Sequence, residues 1–477
     1  MIHGGGQGTG SDFHRIFGIE TEYGLSLTGV SGPYAAGRVA MAMFRPLIDR
    51  RGSTNVYLSN GARLYLDVGS HPEYATAEAR DPLTALTQVL AGERMMTGLA
   101  RRAQMRLAED LGRPVRVHVF ANNVDAQGHA FGCHENYLLD RRVPLDMIKA
   151  CLVPFLVTRQ LITGAGRLSP DGFQLSQRAD FLDEAVSSAT TRARPMVNTR
   201  DEPLADPERW RRLHVIVGDT NRSPLATWFK MASTHLVLNL IEQACRQGRQ
   251  PDLADWALAD PRAAVRAVSR DRTGRVTLEL QASTKTGGIS ALSLQEAYWS
   301  ACKTLLDQQE DTGIGRPQAL RVLQLWRTAL DALDAGRWQD LADWVDWAAK
   351  LRLLQGLSRR GAGRALADAL DLDYHDLSAG RAYPGLVRHG LMQSPVNDSE
   401  VRRAMDRPPE DTRARLRGDF VRAADQGTRS WSCDWSHLVL GGSRRVEVNL
   451  PDPLDYLGPP RYRSLMDFLK DGTEPRK

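Results

Sequence analysis

Apolar and polar positions alternate with a period of two at several points along this chain, and the polar half of each alternation is dense in ionisable groups. In Arg15-Ile-Phe-Gly-Ile-Glu20-Thr-Glu22-Tyr-Gly-Leu25 a strand sets Glu20 and Glu22 side by side, with Ile19, Thr21, Tyr23 and Leu25 on the other face. Arg63-Leu-Tyr65-Leu-Asp67-Val68 repeats the design: Arg63, Tyr65 and Asp67 point one way, Leu64, Leu66 and Val68 the other. Residues 115–121 and 131–139 read as antiparallel partners joined by a glycine-containing turn at 122–128, the second carrying His134, Glu135 and Asn136. A strand over 211–219 sets Arg212, His214 and Ile216 against Leu213, Val215 and Val217, and 173–178 and 195–198 also read as extended.

Helical spacing takes over elsewhere. It runs over 37–51, over 144–163, over 224–247 and through much of 316–358. Asp81-Pro82 caps a further helix, with proline at its first position and Leu83, Leu86, Leu90, Met95 and Leu99 leading to Leu107. Trp326, Trp338, Trp344 and Trp347 are spaced as core residues rather than ligand stackers. After Gln393 the character changes: helix over 398–424, punctuated by Pro408-Pro409, short strands over 431–440 and 446–449, and a last helix near 463–470. The organisation expected is a loose glycine-rich tail over 1–14, a large domain over 15–395 and a small C-terminal domain over 396–477.

Composition narrows the class. The 477 residues are 42% hydrophobic and 25% charged, as in a globular protein with a sizeable core. There is no run of about 18 apolar residues, and the N-terminal glycines lack the basic and apolar regions of a signal peptide, so the expected place is the cytoplasm and no membrane partner. Five scattered cysteines without a C-x-x-C pair indicate reduced thiols. The net charge of +5 favours an acidic partner. It is spread along the chain without a basic tail or aromatic-basic module, so nucleic acid is not expected.

Carboxylates facing inward from neighbouring strands repel one another and lose hydration, so a cation or a basic side chain must join them. A purely structural reading pairs Glu20, Glu22 or Glu73 with Arg63. The chemical reading is hard oxygen ligands for Mg²⁺, and Mg²⁺ in turn suggests a nucleotide phosphate. Neither a P-loop nor a dinucleotide-binding glycine motif follows a strand, so ATP would lie on a sheet surface, held through metal and arginines. His134 and His214 are candidate metal ligands or transition-state cations. Cys133 faces away from His134 along its strand and belongs to packing.

Several segments together resemble the Pup ligase and depupylase family. They are Gly18-Ile-Glu-Thr-Glu-Tyr-Gly24, Asn60-Gly-Ala-Arg-Leu-Tyr-Leu-Asp-Val-Gly-Ser-His-Pro-Glu-Tyr-Ala-Thr-Ala-Glu78, Gly132-Cys-His-Glu-Asn-Tyr-Leu138, Pro154-Phe-Leu-Val-Thr-Arg-Gln160, Asn198-Thr-Arg-Asp-Glu-Pro203, Arg211-Arg-Leu-His-Val-Ile-Val-Gly-Asp219 and Thr412-Arg-Ala-Arg-Leu-Arg-Gly418. The resemblance implies an α+β, glutamine synthetase-like catalytic domain with a curved, mainly antiparallel sheet packed by helices, plus the small C-terminal domain. It implies that Glu20, Tyr65 and Glu73 hold Mg²⁺ with Glu22 beside them, that Asp67 is catalytic, and that Arg63, Thr76 and Trp435 contact ATP. His134, Arg212 and His214 are further candidates.

Only 37 residues separate Glu22 from Asn60, where depupylases carry a long insertion, so the chain is expected to be a ligase. It would phosphorylate the C-terminal glutamate side chain of an acidic, disordered Pup-type modifier and join it to lysines of protein substrates. The alternatives are a depupylase or Pup deamidase, a small-molecule carboxylate-amine ligase of the same fold, and a non-catalytic binding module.

Overall fold

The alternation along the chain becomes a sheet with one dry face and one charged face. The structure is a computed structural model and describes residues 13–471 apart from 68, 126–127, 189–193, 201, 203, 282–287, 310–311 and 443–444. Most of the glycine-rich tail, Val68, and Asp201 and Pro203 of the 198–203 motif therefore lie outside the described residues.

The strands, in chain order, are β1 (Phe17–Glu22), β2 (Gly24–Thr28), β3 (Asn55–Tyr57), β4 (Arg63–Leu66), β5 (Pro72–Ala75), β6 (Arg116–Phe120), β7 (Cys133–Asp140), β8 (Arg167–Ser169), β9 (Gly172–Gln174), β10 (Glu184–Ser187), β11 (Pro195–Asn198) and β12 (Trp210–Val215). Eight of them form one sheet in the order β10-β11-β12-β7-β1-β5-β4-β3. Every neighbouring pair is antiparallel except β10 and β11.

Phe17 and Ile19 of β1, Cys133, Tyr137 and Leu139 of β7, and Leu213 and Val215 of β12 form the dry face and join the largest core cluster. Helices Val153–Thr158, Pro224–Arg246, Ala291–Gln308 and Arg316–Asp334 supply the rest of it. Trp326, Trp344 and Trp347 are buried there and Trp338 packs at its margin, as their spacing predicts. Burying each large apolar side chain stabilises by roughly 1.5–3 kcal/mol, so the dry face holds the sheet and frees the other for chemistry.

A second cluster joins Tyr23, Leu64 and Tyr74 to helices Ala36–Arg51 and Pro82–Asp110. The longer helix starts as expected, with the Asp81 carboxylate accepting from the backbone N–H groups of Leu83 and Thr84 at 2.9 and 3.1 Å. It lies so close to β5 that a Cβ at Gly92 would stand 2.4 Å from the Tyr74 ring. A third cluster, around Phe420, Leu438, Val448 and Leu465, forms the small C-terminal unit. The α+β class is the one expected, a mainly antiparallel sheet packed by helices with a small C-terminal unit.

Two local expectations fail. The first strand does not run on to Leu25: β1 ends at Glu22, Tyr23 donates its N–H to the Pro72 carbonyl at 2.9 Å, and β2 leaves to pair with β6. Burial of the Tyr23 ring in the second cluster turns the chain out of the main sheet. Nor do β6 and β7 form a hairpin, because β7 pairs with β1 and β12 instead. Their connection makes only a small antiparallel turn of its own, Val124 bridging Ala130, and buried Asn123 ties its base to the Phe131 carbonyl at 3.2 Å and to the Thr220 N–H, which it accepts at 2.6 Å.

Candidate active site

Residues directly opposite each other in antiparallel strands share a face, so the registers determine what meets. His214 lies opposite Asn136, Glu20 opposite both His134 and Ala75, Glu22 opposite Glu73, Glu73 opposite Tyr65, and Ala75 opposite Arg63. Five strands therefore deliver their polar halves to one surface. The acidic, histidine and arginine residues singled out along the chain meet there.

On one side of β1, Glu20 is the hub. Its carboxylate accepts from Asn136 Nδ2 at 3.2 Å, lies 3.3 Å from His134 Nδ1 and 3.7 Å from His214 Nε2, and pairs with Arg212 at 3.6 Å. Burial alone would raise the Glu20 carboxyl, but the His134 hydrogen bond and the charges of His214, His134 and Arg212 outweigh it and hold the group well below the usual carboxylate range. Burial drives His214 the other way, to about 3, although Glu20 opposes it. A neutral imidazole results, and its Nε2 is buried without a hydrogen-bond partner. Glu20, His134 and His214 each bring a ligand atom within 4.8 Å of the others.

On the other side, Glu22, Asp67 and Glu73 bring carboxylate oxygens within 4.8 Å of one another. Asp67 opens a tight loop closed by its own N–H on the His71 carbonyl at 2.9 Å, with Gly69 and Ser70 at φ of 88° and 66°. Burial pushes the Glu73 carboxyl up to about 9, with Glu20, Glu22 and Asp67 adding to the rise. The Tyr65 phenol, hydrogen-bonded to Glu73, is also pushed well above its usual range, by burial first and then by the charges of Glu73 and Glu20. Among the described residues Arg63 makes no ion pair with these acids. It donates to Asn55 at 2.9 Å and lies 4.0 Å from the Tyr65 ring centre, so the purely structural pairing fails. Among the described residues no ion pair within 4 Å joins Glu22, Asp67 or Glu73 to a basic side chain, and their hard oxygen donors fit Mg²⁺.

A narrow, partly open cleft of about 90 Å³ runs beside Glu20 and is lined by Gly18, Glu20, Thr76, Arg212, Arg413 and Trp435. The Thr76 hydroxyl accepts the Ile19 N–H at 3.0 Å, and Trp435 meets Tyr57 edge-on at 5.3 Å between centroids. Thr76 and Trp435 thus line the cleft, while Arg63 stands outside its lining, opposite Ala75 of β5.

Two groups escaped the sequence reading. Arg178 is buried, its Nε and Nη1 have no hydrogen-bond partner, and the charge of Glu22 bears on it more than any other. Asp219 fixes its backbone by accepting from the N–H groups of Gln177 and Arg178 at 3.0 and 3.2 Å. The second is a buried link between Glu78, Arg413 and Arg417. An arginine at the end of the 173–178 segment, and three arginines spaced two apart beginning at Arg413, were the available signals.

Comparison with known proteins gives a consistent answer. A family model described as Pup-ligase protein matches residues 15–439. A curated Pup–protein ligase from Bifidobacterium longum subsp. infantis is 53% identical over 465 residues, covering 96% of this chain and 95% of the relative. The solved complex between the prokaryotic ubiquitin-like protein Pup and its ligase PafA is similar at a TM-score of 0.88 and 35% identity, covering 96% of this chain and 92% of that one. A solved structure of the Pup ligase PafA with ADP gives 0.81 and 34%, covering 94% and 98%.

Proposed function

The chain belongs to the Pup-ligase family, and from that premise we propose that it uses ATP to activate the C-terminal glutamate side chain of a Pup-type modifier and joins it to lysines of target proteins. The observation that carries this reading is the convergence of Glu20, Glu22, Asp67 and Glu73 on one sheet face beside a cleft bordered by Thr76 and Trp435.

Glu20, Tyr65 and Glu73, with Glu22 beside them, would hold magnesium. Bound magnesium neutralises phosphate charge and polarises the transferring phosphoryl group. Arg63, Thr76 and Trp435 orient the nucleotide. Arg178, buried and short of hydrogen-bond partners, offers fixed positive charge to the phosphoryl as a modifier carboxylate oxygen attacks its phosphorus and ADP departs. The acyl phosphate so formed meets a lysine amine. Asp67 takes the proton from the attacking nitrogen, the isopeptide bond forms and phosphate leaves. His134, Arg212 and His214 set the charge around Glu20.

A net charge of +5 suits an acidic, disordered modifier that orders as it docks. All five cysteines are free, and no helix among the described residues is long and apolar enough to cross a membrane. Both features accord with action in the cytoplasm.

The test is direct. Incubate the protein with ATP, Mg²⁺, a modifier ending in Glu or in Gln and a lysine-bearing acceptor, then record intact masses. Conjugation of the Glu form alone is the expected result. Conversion of Gln to Glu without conjugation would establish a deamidase, and ATP turnover indifferent to the modifier would establish a small-molecule ligase.

A further inference from the structure

Glu78 lies two residues beyond Thr76, at the exit of the strand that supplies Glu73, and is buried with two arginines from the C-terminal unit. Arg413 Nε donates to its Oε1 at 2.8 Å, and Arg417 donates to both oxygens, the Nη1 contact measuring 3.1 Å. Arg417 does more than neutralise the carboxylate. Its Nη1 also donates to the Trp435 carbonyl at 2.8 Å, its Nη2 and Nε donate to the Gly61 carbonyl at 2.7 and 3.0 Å, and its guanidinium lies 4.8 Å from the Trp435 ring centre. One buried cation therefore binds the turn before β4, the exit of β5 and the Trp435 backbone. Arg413 donates to the Leu450 carbonyl at 3.0 Å, and the Thr412 hydroxyl donates to the Glu78 carbonyl at 2.9 Å.

The position of this cluster matters more than its strength. Thr76 and Glu78 line the cleft from just beyond β5, and Arg413 and Trp435 line it from the C-terminal unit, with Glu78 and Arg413 joined where the two sides meet. Among the described residues no hydrogen bond or ion pair joins the cluster to Glu22, Asp67 or Glu73, the group proposed to capture the amine. We propose that Glu78 and Arg417 are positioning residues that set the gap between the two sides and so govern how tightly the nucleotide is held, while leaving the later chemistry unchanged. The inference rests on the assignment of this cleft to a nucleotide. A bidentate guanidinium-carboxylate pair suits the task because its planar fork fixes orientation as well as distance.

Arg417→Lys keeps the charge but loses the planar fork, and Glu78→Asp keeps the carboxylate but draws it back by one methylene, so both retain opposite charges at the joint while changing its geometry. Measure steady-state conjugation at varied ATP and at varied modifier, with ADP binding by calorimetry. In both variants we expect the KM for ATP and the Kd for ADP to rise about tenfold, with kcat within about threefold and the KM for the modifier unchanged. A lowered melting temperature with unchanged KM for ATP would reduce the cluster to a structural joint, and a fall in kcat at constant KM would also overturn the proposal. Thr412→Val removes the hydroxyl's bond to the Glu78 carbonyl and the cap it gives the Ala414 N–H, without touching the ion pair; it should raise the KM for ATP about twofold, and it keeps the test open if the charged variants do not fold. If the unaltered protein binds no ADP, the nucleotide assignment itself fails, which is a different result from a latch that does not matter.

Discussion

Glu22 and Glu73 stand directly opposite each other across the β1–β5 pair, two acids where a sheet ordinarily places a compatible pair. Like charges in that register destabilise the sheet, and the cost shows in the raised Glu73 carboxyl; a magnesium ion held there, as proposed, would relieve it. Glu22→Gln should therefore raise the stability of the metal-free protein by about 0.5 kcal/mol. It should also cut the stabilisation that magnesium confers, about 2.7 kcal/mol at a hundredfold excess over Kd in the unaltered protein. Thermal unfolding with and without MgCl2, in the presence and absence of a non-hydrolysable ATP analogue, checks both. Equal magnesium-induced shifts in the two proteins would remove Glu22 from the cation site.

Asp67 opens a closed loop with its carboxylate among the acids. Replacing it with asparagine keeps the shape and removes the proposed base. Conjugation should slow by about 10²- to 10⁴-fold, while ADP affinity stays within about twofold. Full conjugation by Asp67→Asn would show that some other group takes the proton.

Glu78 makes the docking of the C-terminal unit sensitive to acid. Burial would raise its carboxyl, but Arg417 and Arg413 overcompensate and hold it at about 2 against an ordinary 4.5. Its folded value is depressed, so its contribution is fully present above pH 4.5 and lost as the pH falls toward 2. That contribution is about 3 kcal/mol. Glu78→Gln, which strands two buried guanidinium groups, should lose about 3–5 kcal/mol at pH 7, with the gap to the unaltered protein closing by about 3 kcal/mol as acid is added. Urea unfolding across pH 2–6 measures it, and a gap independent of pH would refute the linkage.

Gly92 has no room for a methyl group against Tyr74. Gly92→Ala should destabilise by about 1–3 kcal/mol, and Tyr74→Leu in the same chain should recover part of the loss by vacating the space. Simple additivity in the double-mutant cycle would show that the ring and the helix backbone are not the pair in conflict.

The alternation of period two was enough to place Arg63 with Tyr65, Arg212 with His214, and Glu20 with Glu22, because a strand fixes side-chain direction whatever its neighbours are. It was not enough to say which strands pair. Nothing local distinguishes β6 as the partner of β2 from β6 as the partner of β7; buried Asn123 decides it by reaching Thr220, far along the chain. Glu73 was ambiguous in sequence because His71-Pro72 breaks the alternation, and only its register against both Glu22 and Tyr65 puts it among the acids. Arg178 and the Glu78 cluster were illegible for the same reason: each depends on a partner supplied by a remote element, Asp219 in one case and the C-terminal unit in the other.

β1 is flanked by strands from well downstream, and the cleft beside it is closed by Trp435 near the far end of the polypeptide. A growing chain on the ribosome thus holds its first acids long before it holds the means to use them. The two sides of the cleft therefore exist together only once synthesis has passed Trp435, more than four hundred residues after the first of the acids.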